Sequence, residues 1–310
     1  MGRDRPARQN DDRAMSGAEA EQSGNMRLLA SPLRYPGGKG ALYSRLRRLI
    51  RSSDLSGCTY VEPYAGGVGA GLGLLVTGQV ERVVINDLDP AIHAFWASLV
   101  EDPESMIEKI STVKLSVAEW RRQREICLDQ DGTDLAARGF ATFYLNRTNH
   151  SGVLNGGPIG GLDQTGKYKI DARFNRAELS ERIRVLGLYA EKIEVCTEDG
   201  VDVIKQHGRK KDTFIYADPP YFEKAGSLYL NAFGSKDHER LAKALNGLAG
   251  RPWLLTYDDV PRVHELYAER RRRNFELHYS AHRVTAATEI AVFSDSVAEI
   301  ATDWTEIVTN

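Results

Sequence analysis

The most specific chemistry in this sequence lies in the tetrapeptide Asp218-Pro219-Pro220-Tyr221, which directly follows the apolar run Thr213–Ala217. Two successive prolines exclude a helix and remove two backbone donors, so the loop that presents Asp218 is rigid. The exocyclic amine of a nucleobase is a poor nucleophile, because its lone pair is delocalised into the ring. The Asp218 carboxylate and the Pro219 carbonyl could accept both amine hydrogens and localise that lone pair, while Tyr221 stacks on an extruded base. The tetrapeptide predicts activation of a base amine, and a plain surface turn is the alternative.

A second candidate site is the glycine-rich turn Glu62-Pro63-Tyr64-Ala65-Gly66-Gly67. Its glycines let the backbone approach a ligand closely, and the helix predicted to follow offers free N–H groups. The spacing is neither that of a dinucleotide-binding GxGxxG motif nor that of a phosphate loop. Asp87 ends the next β-branched run, about 20 residues later, where an acid can hold two ribose hydroxyls. Capping of the next helix is a second role for Asp87, and the two roles are compatible.

The elements that must position these residues alternate between strands and helices, which predicts a parallel sheet covered on both faces. The predicted strands are 58–61, 80–85, 193–196, 213–217 and 253–257, and the predicted helices include 41–51, 199–207 and 236–248. The last elements, 275–280 and 289–293, have the pattern of an antiparallel hairpin. The predicted fold class is α/β, with a mostly parallel sheet and an antiparallel hairpin at its C-terminal end.

The alternation stops between 101 and 188, which predicts an inserted subdomain. Its Gly- and Asn-rich stretch is too long for a simple connection inside a sheet domain. From Arg138 to Arg184 there are eight Lys or Arg and four acids, a net charge of +4, although the whole chain carries −2. Four arginines at 270–273 form a second basic cluster, and either cluster alone would also fit a solvated surface. The predicted layout is a disordered leader or misplaced start at 1–26, a catalytic domain at 27–100 and 189–300, the insertion at 101–188, and a tail at 301–310.

Composition excludes several classes of protein. With 42% hydrophobic and 27% charged residues, the chain has the profile of a soluble globular protein. It contains no apolar run of membrane-spanning length and no signal-peptide core. The three cysteines are odd in number and far apart, which excludes a disulfide framework and a CxxC metal site. We therefore expect a cytoplasmic protein without a metal.

Together with the segment Tyr35-Pro36-Gly37-Gly38-Lys39, these motifs resemble the Dam-type (D12 class) N6-adenine-specific DNA methyltransferases. The resemblance covers about 30 to 293, and the order of the motifs matches as well. It implies a Rossmann-like, S-adenosylmethionine-dependent methyltransferase fold with an inserted helical and hairpin target-recognition subdomain. It also implies base flipping of adenine in double-stranded DNA, with Asp218, Pro219, Pro220 and Tyr221 as the catalytic residues.

The resemblance further implies the cofactor site, although Glu198 is as good a candidate as Asp199 for the acid near the cofactor adenine. The implied cofactor residues are Tyr35, Gly37, Gly38, Lys39, Glu62, Pro63, Tyr64, Ala65, Gly66, Gly67, Asp87, Asp199 and Asp218.

The segment from Asn146 to Gly152 is similar to the family's Asn-Arg-containing turn before its DNA-reading hairpin. The predicted DNA contacts are Asn146, Arg147, Asn149, Lys167, Lys169 and Arg173. The similarity weakens after Gly152, which leaves the recognised sequence open. Cytosine N4 in DNA, adenine in RNA, and a catalytically silent DNA-binding protein are the alternatives. We expect the host to be a bacterial or phage-infected cell, with no membrane partner and no obligate protein partner, and a cognate restriction nuclease fits the class.

Overall fold

The computed structural model describes residues 31–34, 39–129, 134–222, 233–279, 285–297 and 304. The predicted leader at 1–26 and the motif residues Tyr35, Gly37 and Gly38 lie outside this range, as does the 301–310 tail except for Trp304.

Seven strands and ten α-helices form within the described residues. The chain enters through a 3₁₀ turn, Lys39–Leu42. The strands are β1 (Thr59–Glu62), β2 (Arg82–Asn86), β3 (Ile193–Cys196), β4 (Thr213–Ala217), β5 (Trp253–Asp258), β6 (Arg271–Tyr279) and β7 (Thr285–Phe293). The helices are α1 (Tyr43–Ser52), α2 (Gly69–Val76), α3 (Pro90–Glu101), α4 (Pro103–Thr112), α5 (Val117–Leu128), α6 (Leu135–Thr148), α7 (Arg176–Gly187), α8 (Gly200–His207), α9 (Ser235–Asn246) and α10 (Pro261–Leu266).

The strands form one sheet in the order β3-β2-β1-β4-β5-β7-β6. The first five strands are parallel, and β7 lies antiparallel between β5 and β6. The α/β prediction, with a mostly parallel sheet and an antiparallel C-terminal pair, is confirmed. Because β1 lies between β2 and β4, the strand order reverses at β1. In open α/β sheets, ligands bind in the crevice at the carboxyl ends of the strands that flank such a point.

Helices cover both faces of the sheet, because successive residues of each central strand point to opposite sides. On β1, Tyr60 belongs to the core beneath α1, α2 and α3, whereas Val61 belongs to the core beneath α8, α9 and α10. Phe214 and Ile215 of β4 divide between the same two cores. The central strands are thus buried on both faces, and only the residues at their ends can face a ligand.

The insertion shares the first of these cores. Helix α6 packs along α3, and Gly139 permits the approach, since a Cβ there would collide with the backbone oxygen of Ala94. The helical part of the prediction for 101–188 is therefore matched, but the hairpin part needs correction. Between α6 and α7, residues 149–175 hold a single β-bridge, Asn149 to Pro158, in place of paired strands. Gly152, Gly160 and Gly161 all have φ between 76° and 89° there, and such a backbone turns rather than extends.

None of the helices in the described ranges is both long enough and apolar enough to cross a membrane.

Candidate active site

The carboxyl ends of β1 and β4 bring Glu62 and Asp218 to the same edge of the sheet. Asp218 lies just beyond β4, with its side chain 23% exposed. Its Oδ1 accepts a 2.8 Å hydrogen bond from the hydroxyl of Thr256 and a 3.2 Å bond from the hydroxyl of Tyr221. Buried Pro219 and half-buried Pro220 complete the loop. The carboxylate is therefore held through one of its two oxygens.

Lys39 connects the N-terminal motif to this carboxylate. Its ammonium donates a 2.6 Å hydrogen bond to the Tyr221 hydroxyl and lies 3.4 Å from Oδ1 of Asp218. It also donates to Glu289, on β7, at 3.0 and 3.3 Å. The sequence assigned Lys39 to the cofactor pocket, whereas the structure joins its ammonium to the Asp218 loop. Tyr221 is buried, with the same ammonium 5.0 Å from its ring centroid, so its stacking on a base stays a prediction.

Burial dominates the electrostatics of the two carboxyl groups. It raises the pKa of Asp218, the Lys39 charge opposes that rise, and the Glu289 charge adds to it. Burial also raises the pKa of Glu62 to about 8, and the negative charge of Asp218 acts in the same direction. Glu62 is therefore largely protonated near neutral pH, and the positive charge of Lys39 favours the ionised form of Asp218 against the effect of burial.

The glycine-rich turn forms a tight cradle above β1. Gly66 and Val68 both have left-handed backbones, with φ of 48° and 47°. The indole of Trp96 donates a 2.9 Å hydrogen bond to the Gly66 carbonyl, which fixes the turn from below. A Cβ on Gly69 would lie 3.1 Å from the backbone nitrogen of Gly40, so the turn packs directly on the residue after Lys39. Buried Ala65 and Gly67 complete the cradle.

Asp87 follows β2 and faces this turn. Its Oδ2 accepts a 2.8 Å hydrogen bond from the Gly66 N–H, and its Oδ1 accepts a 2.9 Å bond from the Asp89 N–H. The cap of α3 is Asp89, which accepts from Ala91, so the helix-cap alternative for Asp87 is wrong. A carboxylate oxygen accepts two hydrogen bonds, and each Asp87 oxygen has one of these backbone bonds. Burial raises the pKa of Asp87 to about 6.

The two acids after β3 differ in their surroundings. Asp199 caps α8 through Val201 and forms an ion pair with Arg240 at 3.3 Å. The next residue, Gly200, packs directly against the ring of Tyr64, so a Cβ at this position would collide with that ring. The exposed Glu198 is fixed through its backbone to the buried side chain of Asn86, which also bonds the Pro63 carbonyl at 2.9 Å. The charge of Asp199 acts on Tyr64 of the glycine-rich turn, whereas Glu198 is exposed.

Two of the residues predicted to contact DNA, Asn146 and Asn149, are buried and form hydrogen bonds within the protein. Asn146 is buried and bonds both the N–H and the carbonyl of Arg34, at 2.6 and 2.7 Å. Asn149 is buried too, accepting from the Trp120 indole at 2.6 Å and donating to the Val153 carbonyl at 2.8 Å. Both N–H donors of each amide bond to carbonyls of the protein, and burial keeps the remaining acceptor position on each oxygen away from a base edge, so the structure does not present these two residues to DNA. Both residues instead bind Arg34: Asn146 through the Arg34 backbone, and Asn149 through its carbonyl, which accepts from the Arg34 guanidinium.

The predicted basic contacts occupy the surface. Lys167, Lys169 and Arg173 are exposed, and half-buried Arg147 donates to the Arg173 carbonyl at 2.8 Å. Burial, and then the charges of Arg182 and Arg34, lower the pKa of Arg147 to about 9. The arginine cluster, defined as Arg34, Arg147, Arg173 and Arg182, contains four positive charges.

Among the described residues, Glu178 is the acid that acts on Arg147, and it forms an ion pair with Arg182. Three arginines and one glutamate act on Arg147, so positive charge is in excess around it, and such an excess attracts an anion.

Sequence reasoning missed Thr256 and Glu289. Each is the one polar residue in an otherwise apolar stretch, Trp253-Leu254-Leu255-Thr256-Tyr257 and Glu289-Ile290-Ala291-Val292-Phe293. An isolated charged or hydroxyl side chain in a buried strand needs a partner, and that was the available signal.

Known proteins resemble this chain over most of its length. The family model for the D12 class N6 adenine-specific DNA methyltransferases matches residues 35–287. The type II methyltransferase M.CviBI of Paramecium bursaria Chlorella virus NC1A is 25% identical over 211 residues, which cover 68% of this chain and 76% of the viral protein. A crystal structure of a candidate RNA methyltransferase from Pyrococcus horikoshii covers 85% of this chain and 87% of its own, with 13% identity and a TM-score of 0.38, too distant to bear on activity. Since the family model spans most of the sequence, the chain belongs to the D12 class of N6 adenine-specific DNA methyltransferases and methylates adenine in DNA.

Proposed function

We propose that the chain is a site-specific enzyme that transfers the methyl group of S-adenosylmethionine directly to N6 of an adenine flipped out of duplex DNA. The observation that carries the proposal is the arrangement at Asp218. The hydrogen bonds from Thr256 and Tyr221 and the Lys39 ammonium all meet Oδ1. Among the described contacts, Oδ2 is left to accept from a base amine.

The residues near β1 and β2 fit the cofactor. Asp87 offers one acceptor position on each oxygen, which matches a pair of vicinal ribose hydroxyls. The left-handed turn at Gly66 and Val68 lets main-chain groups approach a ligand without side-chain obstruction. Asp199 and Tyr64 would border the adenine end, and Glu62 and Pro63 the other side of the turn. When bound, S-adenosylmethionine supplies an electrophilic methyl group on a sulfonium, so no covalent enzyme intermediate is required.

The chain's own task is to prepare the amine. Oδ2 of Asp218 accepts one N6 hydrogen and the Pro219 carbonyl accepts the other, which localises the nitrogen lone pair for attack. The N–C bond forms as the C–S bond breaks, and the surplus N6 proton leaves afterwards. Positioning and a preorganised negative charge, rather than a strong base, provide the acceleration.

The arginine cluster supports a DNA contact on the insertion side of the site. Its surplus positive charge fits the phosphate backbone, and exposed Lys167 and Lys169 extend it along the same loop. The type II methyltransferase named among the relatives supports a role in restriction and modification, with a cognate nuclease as the partner.

The test is methylation of DNA by the chain expressed in a methylation-free host, read by long-read sequencing and repeated with purified protein and labelled cofactor. The proposal expects N6-methyladenine at one sequence motif. Asp218→Asn, which has the same shape, is the matched control and should lose about 10²–10³ in rate while still binding cofactor. Methylated cytosine, labelled RNA, or cofactor binding without any transfer by the wild type would each contradict it.

A further inference from the structure

Glu289 is the buried acid that the reaction, as derived above, does not use. Its side chain is 1% exposed, and both oxygens lie within 3.3 Å of the Lys39 ammonium. The register of β7 between its two neighbours fixes it, because Glu289 pairs with Asp258 on β5 and with Phe275 on β6. On β7, Ala291 and Phe293 point to the same face as Glu289 and pack in the first core. The acid therefore occupies a position that an apolar side chain would also fit.

A buried ion pair is weak support for stability, because the cost of removing both charges from water offsets their attraction. A role for Glu289 is better sought in what its partner touches. The Lys39 ammonium is 2.6 Å from the Tyr221 hydroxyl and 3.4 Å from Oδ1 of Asp218. It is thus closer to Glu289 and Tyr221 than to the carboxylate that receives the base.

We propose that Glu289 is a positioning residue for methyl transfer, which holds the Lys39 ammonium against Tyr221 and at the Oδ1 side of Asp218. The proposal depends on the role of Asp218 given above. Without the Glu289 carboxylate, Asp218 is the remaining described carboxylate within reach of Lys39, and the ammonium would close on it. A directly paired Asp218 is a weaker acceptor for the amine, because its charge is already neutralised.

The groups around Asp218 set the pH dependence to be measured. The charged or titratable carboxyl and amino groups that act on it are Lys39, Glu62 and Glu289, from three different elements. The phenols of Tyr60, Tyr216 and Tyr257 face it as well, but burial raises the pKa of each, so they stay neutral. Tyr221 adds its hydroxyl. Replacing Glu289 by a neutral residue removes a negative charge and so lowers the pKa of Asp218.

The experiment compares Glu289→Gln and Glu289→Asp with the wild type, with kcat and both KM values measured from pH 5 to 9. Cofactor binding and thermal midpoint report the folded fraction. Ser294→Ala is the matched control, since it removes a buried 3.0 Å hydrogen bond to Trp253 just beyond β7 without touching Lys39. Wild-type turnover in the same assay tests the proposed function separately.

The proposal expects kcat of Glu289→Gln to fall about 10- to 100-fold, with little change in the cofactor KM. The acid limb of its kcat profile should move to lower pH, because the lost negative charge lowers the pKa of Asp218. A fall in kcat at unchanged cofactor KM, partly rescued by Glu289→Asp, is what separates positioning from a merely structural role. Glu289→Asp should lie between Glu289→Gln and the wild type, and Ser294→Ala should match the wild type per folded molecule. The proposal would be overturned if Glu289→Gln had the kcat and the acid limb of the wild type. It would also be overturned if the kcat of Glu289→Asp were no higher than that of Glu289→Gln. If Glu289→Gln did not fold, wild-type kcat in Glu289→Asp would overturn it.

Discussion

The hydroxyl of Thr256 donates a 2.8 Å hydrogen bond to Oδ1 of Asp218, from one parallel strand to the end of its neighbour. The pairing of Ala217 with Leu255 brings the two residues side by side. The same hydroxyl lies 2.9 Å from that of Tyr216, which anchors it from below. The orientation of the Asp218 carboxylate is therefore determined within the sheet as well as within its own loop.

Thr256→Val removes this donor while keeping the shape of the side chain. A hydrogen bond to a charged group contributes about 1.5–3 kcal/mol, so we expect kcat to fall about 10- to 100-fold with unchanged cofactor affinity. Steady-state kinetics on a cognate duplex measures the change. Thr256→Ser retains the hydroxyl and is the control. An unchanged kcat in the valine variant would show that Asp218 is held adequately by Tyr221 and Lys39.

Asp87→Asn tests the cofactor pocket. Since the carboxylate is the acceptor and its pKa is raised to about 6, wild-type affinity for S-adenosylmethionine should fall as the pH drops through 6. At pH 8 the variant should bind about 1–3 kcal/mol more weakly, because buried hydroxyls lose an acceptor. Its affinity should also vary less with pH, since asparagine does not titrate. Calorimetry at several pH values decides, and parallel curves for the two proteins would contradict the assignment.

Arg147→Ala tests the arginine cluster. A lost phosphate contact should weaken binding to all duplexes and reduce the slope of log affinity against log salt by about one. Titration of cognate and scrambled duplexes at several salt concentrations measures both. Arg122→Ala, an exposed arginine on α5 paired with Glu119, is the charge-matched control and should change neither. A loss of about 1–3 kcal/mol on the cognate duplex alone would instead identify a base contact.

Glu62→Gln should change how stability depends on pH. In the folded protein the pKa of Glu62 is raised from 4.5 to about 8, so the folded state holds this proton more tightly than the unfolded chain does. The contribution to stability is complete below pH 4.5 and is lost as the pH rises through 8. Glutamine does not titrate, so the variant does not lose stability in this way. The loss in the wild type amounts to a few kcal/mol, at about 1.4 kcal/mol per pKa unit. Urea unfolding at pH 5, 7 and 9 should show its advantage growing with pH; a constant difference would mean that Glu62 does not titrate in this range.

Much of the fold and part of the site follow from local sequence signals. Alternating strand and helix patterns are enough to indicate a parallel sheet, and in such a sheet every strand ends at the same edge. The motifs at Glu62 and Asp87 lie at the carboxyl ends of two such strands. Their proximity can therefore be predicted without knowledge of long-range contacts. The boundaries agree closely too: the predicted 213–217 and 253–257 are β4 and all but the last residue of β5.

Other parts of the site depend on information that no local pattern contains. Glu289 reaches Lys39 because β7 lies inside the sheet rather than at its edge, and a hairpin pattern does not specify which strand is inside. Asn146 and Asn149 were assigned to DNA because the segment from Asn146 to Gly152 is similar to the family's turn before its DNA-reading hairpin. Such a similarity does not give the direction of a side chain, however, and the end of α6 turns both side chains inward. Only the packing of α6 on α3 and α5 determines that orientation.

The contact between Lys39 and Glu289 joins positions 250 residues apart in the sequence. A ribosome adding about 5–20 residues per second needs on the order of ten seconds or more to make that interval. During this time β6 also has no neighbour in the sheet, because β7 lies between it and β5. Among the described strands, β7 is the last to be synthesised, and it completes both the seven-stranded sheet and the charge network. An incomplete chain that ends before β7 would carry the Asp218 motif and the glycine-rich turn without the acid that orients Lys39, so the charge network around Asp218 is completed only when β7 has been made.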